Sequence, residues 1–388
     1  MFRAKSSSKV EIFNENEEEA QEYKDGIIHY GIMLLRMNCL WPRANQSAFS
    51  FRIQIVITLL LCSTTGFTNF TFLVHTFWSG DNYVIDDILE AVVISLTTIG
   101  IYTIMITLIG QSKVIMQLLK DINTFGEFGK PSNFDETNAK MNRFILISYL
   151  YAFGAVMLYV IFSFLDFQKC EARNVKYDIN RLCGFITSFW VPFSMDPVIT
   201  KVLFYIIQVT SSVVVSSAGT TIMGWIWAIV EMFLTKVANL KAMLLQINDL
   251  TDNGKKRAHM NKCIRYHIEI INLADQINEC IGVLVFIASG LISMIIGMCA
   301  ALFLLKPEVY TFIHGLGWVF GMYILCHTGQ RLMDESTDIP FAVYDTEWFE
   351  NDIGVQKDCI FFIMRGNAPL KLEAAGFLLS QWPLLQES

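Results

Sequence analysis

The residues of this chain best suited to nucleophilic, redox or metal chemistry are its nine cysteines and six histidines, and their spacing supports none of the three. The cysteines form neither a CxxC pair nor a Cys/His cluster, so zinc and dithiol readings lack ligands at workable separations. No nucleophile stands beside a base and the histidines are dispersed, so no enzyme activity and no cofactor is expected. Two cysteines differ from the rest: Cys170 and Cys183 share one loop, and an oxidising exterior would let them bridge. Asp81, Asp86, Asp87 and Glu90 crowd a short loop over residues 73–90, where they could attract cations to an outer mouth or simply solvate a turn. Asn69, in Asn-Phe-Thr, fits a glycosylation acceptor but lies near the end of an apolar stretch, where it is hard to reach.

The elements that must position these residues are membrane helices. The chain of 388 residues is 53% hydrophobic and only 17% charged, with a mean hydropathy of +0.44. A soluble surface needs about a quarter of its residues charged. The apolar residues come in six blocks, over 52–72, 91–112, 144–165, 202–230, 281–305 and 309–330. Each is near the roughly 20 residues that cross a hydrocarbon layer as a helix. The fold class expected is all-α, a polytopic membrane helix bundle with six spans.

Residues 1–26 are polar, with Glu15, Glu17, Glu18 and Glu19 in a cluster and no apolar core, so the first span is expected to act as the targeting signal. Placing the N-terminus in the cytoplasm puts 23 of the 29 Lys and Arg residues on that side, as the positive-inside rule requires. That inverts the topology of a G-protein-coupled receptor. The net charge of −7 is scattered, and no basic stripe suits nucleic acid.

Residues 1–48 read as a cytoplasmic lead-in, in which Ile27, Met33, Leu34, Leu35, Leu40 and Trp41 suit an interfacial anchor. Residues 49–230 carry spans one to four and their outer loops, the longest being 166–201. Residues 231–280 read as a cytoplasmic helical hairpin. Phe233, Val237, Leu240, Leu244 and Ile247 make one apolar stripe, Ile264, Ile268, Ile271, Ala274, Ile277 and Ile281 another, and Asp252, Asn253 and Gly254 the turn. The hairpin could fold back on itself or meet other subunits. Residues 281–330 hold spans five and six, 331–376 a cytoplasmic anchor segment, and 377–388 a short divergent tail.

After the sixth span come Cys326, Gly329, Ser336, Ala342, Tyr344 and Trp348, then Arg365 and Pro369-Leu370-Lys371-Leu372. This order and spacing resembles the signature of the insect odorant receptor family. Leu40-Trp41-Pro42, Pro192-Phe193, Cys263 and His267 agree more weakly upstream. Tyr344 and Trp348, four apart, read by themselves as packing residues on one helical face. The resemblance implies a ligand-gated cation channel in the plasma membrane of olfactory sensory neurons. It implies a hetero-oligomer, a tetramer, in which an odorant-specific subunit joins a shared co-receptor through the motif region and the cytoplasmic ends of the later spans. The compact hairpin matches an odorant-specific subunit, not the co-receptor with its long insertion. The family has seven spans, the seventh lining the pore. Here the twelve residues after Gly376 cover about 18 Å as a helix, too little to cross, so a truncated, non-conducting isoform that regulates co-receptor assembly or trafficking is the alternative.

A small volatile odorant needs a dry pocket with few polar groups. The apolar lining and the resemblance together place it in the outer halves of spans two to five. Candidate faces are Tyr151, Gly154, Leu158 and Ile161 on span three, Phe204, Gln208 and Ser212 on span four, and Met294 and Met298 on span five, whose thioethers conform to varied shapes. Gln208 is the most pointed of these, since an amide inside a span needs a partner. Each face also serves as plain helix packing, with lipid the other partner. A transporter would show repeated halves with broken helices, and the sequence shows none.

Overall fold

The computed structural model describes residues 26–43, 46–79, 84–179, 181–193, 195, 197–366, 368–374 and 377–378. The chain folds as helices α1 (His29–Met37), α2 (Ala48–Ser79), α3 (Ile85–Gly110), α4 (Ser112–Asn123), α5 (Phe134–Leu165), α6 (Phe167–Tyr177), α7 (Val198–Leu245), α8 (Asn253–Leu305), α9 (Val309–Tyr344) and α10 (Ile353–Gly366). A two-residue antiparallel pair, β1 (Glu373–Ala374) with β2 (Phe377–Leu378), follows. Six helices are long and apolar enough to cross a membrane, namely α2, α3, α5, α7, α8 and α9. They correspond to the six apolar blocks. The tail beyond Leu378, on which the reading of a missing seventh span rests, lies outside the described residues.

The chain divides into two compact units. The first comprises residues 1–110, 144–224 and 287–322, and the second residues 111–143, 225–286 and 323–388. Helices α5, α7, α8 and α9 each contribute to both.

In the first unit, α2, α3 and the matching parts of α5, α7, α8 and α9 pack closely where side chains are small. A methyl group at Gly100 would come within 2.8 Å of the Leu291 side chain, so α3 and α8 approach at a distance that glycine permits. The lead-in differs from the expected interfacial anchor. Ile27, Leu34, Leu35 and Leu40 are buried and Trp41 is only 2% exposed, while Ser217 of α7 donates to Asn38 at 2.9 Å. With those side chains enclosed by its own unit, the element leaves Tyr30, Met33 and Met37 exposed for the headgroup layer. Asn69 is fully enclosed in α2, donating to Thr65 O at 2.7 Å and Thr187 Oγ1 at 3.1 Å, so it is not an acceptor for glycan.

The expected outer loops are also more ordered than their sequences suggest. Residues 73–79 extend α2, and Asp86, Asp87 and Glu90 sit in the first turns of α3. Acidic side chains at a helix N-terminus favour that start. The 166–201 segment contains α6, which the disulfide Cys170–Cys183 ties back to the chain leading to α7, with Cα atoms 5.8 Å apart.

In the second unit, α7 runs unbroken past residue 230, and Asp252 Oδ2 accepts the Lys255 N–H at 2.9 Å, so Asp252 caps α8 and Asn253 and Gly254 open that helix instead of turning. The first predicted stripe is the buried one: Phe233, Val237, Leu240, Leu244 and Ile247 are all enclosed. The second is displaced. The buried face of α8 is Cys263, Tyr266, Ile270, Leu273, Ala274, Ile277, Cys280 and Ile281, whereas Ile268 is 53% exposed and Ile264 and Ile271 are half-buried. Lys236, almost wholly buried, is held by Thr124 O at 2.7 Å and Glu269 at 3.1 Å. A buried ammonium needs such partners.

Candidate functional site

The first unit contains two adjoining cavities that share Tyr159 and Ile186. The inner one, of about 110 Å³, is bounded by Thr65 of α2, Ile94, Thr97 and Thr98 of α3, Ala155, Val156 and Tyr159 of α5, Ile186 and Thr187 of the segment before α7, Ser212, Val215 and Ser216 of α7, and His314 of α9. Its walls are aliphatic carbons, hydroxyl groups, the Tyr159 ring and the His314 imidazole, and none of these residues is Asp, Glu, Lys or Arg. Such a space accepts a small neutral molecule and rejects an ion, which would have to shed its hydration without a counter-charge.

Helix periodicity explains the wall. Residues 155 and 159 are one turn apart and share a face. The small side chain of Ala155 leaves the space, and Tyr159 closes its end with its hydroxyl 3.2 Å from His314 Nδ1. On α2 and α7, Thr65 donates to Ser211 at 2.7 Å, pinning those helices beside the cavity.

One side of the cavity is backbone. Ile186 and Thr187 lie in an irregular segment, and Gln208 of α7 holds them there. Its Oε1 accepts the Ile186 N–H at 3.0 Å, and its Nε2 donates to Thr187 Oγ1 at 2.6 Å and Thr187 O at 3.3 Å. The next stretch is fixed by Thr71, which donates to Trp190 O at 2.9 Å, and by His75 stacked on Trp190 with ring centroids 4.3 Å apart.

The second cavity, of about 150 Å³, is charged. Asp87 and Glu90 of α3, Asp166, Lys169, Arg173, Arg181, Lys306, Glu308 and Tyr310 line it beneath the disulfide. Arg173 pairs with Asp86 at 2.9 Å and Arg181 with Asp87, while Glu90 lies 3.9 Å from Arg181. Burial works against the Arg181 charge, but Asp87 and then Glu90 outweigh it, and its pKa is raised from the ordinary guanidinium value. Asp86, Asp87 and Glu90 are therefore neither a solvated turn nor a free cation attractor, because arginines from the neighbouring segment pair with them, while Asp81 lies outside the described residues.

The candidate residues fall in different places. Ser212 is on the inner wall and Gln208 stands behind it. On α5 the wall is Ala155, Val156 and Tyr159, one residue on from the expected Tyr151, Gly154, Leu158 and Ile161, a rotation of about 100°. Tyr151 instead donates to Ile313 O at 2.7 Å, Gly154 has open space around it, Ile161 is exposed and Leu158 is half-buried off the wall. Phe204 stacks on Phe189 with centroids 6.0 Å apart, Met294 is exposed, and Met298 packs against Val93, Ile295 and Cys299. Thr97 and Thr98 carried no distinguishing signal, since hydroxyls are common in spans, and Thr187 lies in an outer segment with no periodicity to place it. The Tyr159 and His314 pair joins residues 155 positions apart.

The motif residues lie in the second unit. Ser336, buried in α9, accepts the Leu370 N–H at 2.9 Å, and Asn278 donates to Lys371 O at 2.8 Å, so the Pro369-Leu370-Lys371 stretch is pinned to α9 and α8. Gly329 and Ala342 are buried, Cys326, Tyr344 and Arg365 are exposed, and Pro369 is half-buried. Tyr344 and Trp348 do not share a helical face: α9 ends at Tyr344, and Trp348 opens a separate turn, Trp348–Glu350. His267 stacks on Phe362 of α10 with centroids 4.6 Å apart.

A family model described as 7tm Odorant receptor matches residues 84–381. Odorant receptor 67a of Drosophila melanogaster is 29% identical over 152 residues, 38% of this chain and 37% of that protein. Odorant receptor 49a of the same species is 23% identical over 241 residues, 58% of this chain and 55% of that relative. The matched segment thus spans about a third to about half of these relatives' own length. Among solved structures, the insect olfactory receptor OR5 from Machilis hrabei aligns with a TM-score of 0.65 at 12% identity, covering 90% of this chain and 91% of that one. The structure of that receptor in complex with eugenol aligns with a TM-score of 0.67 at 11% identity, covering 91% and 92%. At such identities the likeness is one of fold. The match of the family model over most of the sequence, carried on a multi-pass helical membrane fold, establishes that the chain belongs to the insect odorant receptor family.

Proposed function

We propose that this protein is an odorant-specific subunit of a ligand-gated cation channel, that it binds a small volatile molecule in the inner cavity of its first unit, and that it works with a co-receptor in the plasma membrane of olfactory sensory neurons. The observation that carries the reading is the uncharged cavity bounded by Ala155, Tyr159, Ser212 and His314 in a protein of this family. The complex of Machilis hrabei OR5 with eugenol supports it, as a fold of the same kind with a small organic ligand. The Cys170–Cys183 disulfide supports the proposed orientation, because disulfides persist on an oxidising face. The cysteines lie in the loop that the Lys and Arg distribution assigns to the outside, which leaves the N-terminus cytoplasmic. Residues 231–280 and 331–376, which include the motif, are the proposed subunit-contact segments. An enzymatic role does not fit a family of receptors.

Coexpression with an insect odorant co-receptor tests the proposal. An odorant-evoked cation current is expected, and Ala155→Phe, which fills most of the cavity, is expected to abolish it while surface delivery persists. Depletion of the co-receptor from the surface without current would establish a regulatory partner instead. A full response from Ala155→Phe would remove the cavity from consideration.

A further inference from the structure

The two cavities of the first unit share two lining residues, Tyr159 of α5 and Ile186 of the segment before α7, so the partition between them is one side chain thick. They differ in what surrounds them. None of the residues lining the inner cavity is exposed. The outer chamber reaches solvent at its rim, where the Lys169 side chain is 72% exposed. At about 150 Å³ against about 110 Å³, it also has room for anything that the inner cavity can hold. Asp87 is paired with Arg173 at 3.5 Å and with Arg181, and Asp166 with Lys169 at 2.7 Å. These charges are engaged with one another and leave a polar passage for a neutral solute.

Of the two partition residues, one is fixed and one is free to swing. Ile186 is fixed through its backbone, whose N–H donates to Gln208 at 3.0 Å, and the next residue, Thr187, accepts two more bonds from the same amide. Tyr159 is held at its tip by one hydrogen bond, 3.2 Å to His314 Nδ1, and on its flank by the Tyr310 ring with centroids 4.9 Å apart. Turning the side chain breaks that bond and that ring contact and no backbone bond. Both interactions are weak enough to break often at room temperature. Ser163 stands one turn further along the same face of α5 and lines the outer chamber but not the inner one, so it flanks the Tyr159 ring on the outer side.

We infer that the outer chamber is the entry route to the inner cavity and that the Tyr159 side chain is the gate between them. The inference rests on the inner cavity being the odorant site. It makes Tyr159 the residue that sets how fast an odorant arrives and leaves, apart from how tightly it is held. The competing route is lateral, from the lipid between the helices.

The route is tested without an odorant, by labelling a thiol placed on the inner wall by Ser212→Cys. The probe is methyl methanethiosulfonate, which is small and uncharged, applied to the purified full chain in lipid nanodiscs with labelling at position 212 followed by mass spectrometry. Ser163→Trp, added to Ser212→Cys, fills the outer chamber ahead of the gate and is expected to slow labelling at least about 5-fold. A misfolded chain labels faster, so a slowing cannot come from a broken fold. Tyr159→Ala in the same background removes the gate and is expected to speed labelling roughly 5- to 150-fold. The buried Cys62 and Cys299 of the same unit should stay as unreactive as in the parent. Labelling that with Ser163→Trp stays within about twofold of the parent or rises, as lateral entry requires, overturns the inference. So does a Tyr159→Ala chain that labels at the parent rate, or one whose acceleration Cys62 and Cys299 share. If labelling follows the gate but Ala155→Phe keeps a full odorant-evoked current, the route stands and the assignment of the cavity as the odorant site falls.

Discussion

Replacing Gln208 with Leu would remove the polar clamp that holds one wall of the cavity while nearly preserving volume. Gln208 is buried, and its amide is the acceptor for Ile186 N–H at 3.0 Å and a donor to both oxygens of Thr187. Leaving a buried N–H without an acceptor costs about 1–3 kcal/mol. Thr187 Oγ1 would lose less, because Asn69 still donates to it at 3.1 Å. A total near 2–3 kcal/mol follows, equivalent to local opening roughly 30- to 150-fold more frequent. Hydrogen exchange of residues 184–190, read by mass spectrometry on the purified protein in detergent, should accelerate by that factor while α3 and α8 remain unchanged. Thr187→Val should give a smaller acceleration in the same segment. Exchange of 184–190 that stays within about twofold of the parent, or acceleration spread evenly through the first unit, would refute the clamp.

Arg181→Met leaves Asp87 and Glu90 buried with less compensation; a loss of about 3 kcal/mol, the low end for breaking a buried pair because Arg173 remains 3.5 Å from Asp87, should appear as a lower melting temperature, partly restored in Arg181→Lys. Replacing Cys170 and Cys183 together with Ser should cost about 3 kcal/mol by loop closure over a separation of 13 residues, and should abolish the effect of reductant on the melting curve. In the second unit, a methyl group at Gly366 would run into the ring of Pro340, so Gly366→Ala should destabilise by about 1–3 kcal/mol and expose the residues after α10 to protease. Ser336→Ala orphans the Leu370 N–H and should loosen the same stretch, measurable as faster exchange at residues 370–372.

The sequence by itself determined that the chain is an all-helical membrane protein with six long apolar helices and that it resembles one receptor family. Those conclusions rest on signals local in the chain: block length, the scarcity of charge, and the run from Cys326 to Leu372. The stripe Phe233, Val237, Leu240, Leu244 and Ile247 was equally legible, because its buried face is also its apolar one. In α5 that logic has no purchase. Every face of a span is apolar, since lipid is as oily as a protein interior, so periodicity could not separate Ala155 and Tyr159 on the cavity wall from Gly154 and Ile161 beside them. On α8 the isoleucines 264, 268 and 271 outscored the true face of Cys263, Tyr266 and Ile270 by hydropathy alone. Tertiary structure decided the rest: that the acids of α3 meet Arg173 and Arg181, that Gln208 braces Ile186 and Thr187, and that Tyr159 meets His314 at the cavity. Each depends on side chains brought together across the first unit, a relation that no spacing within one helix encodes.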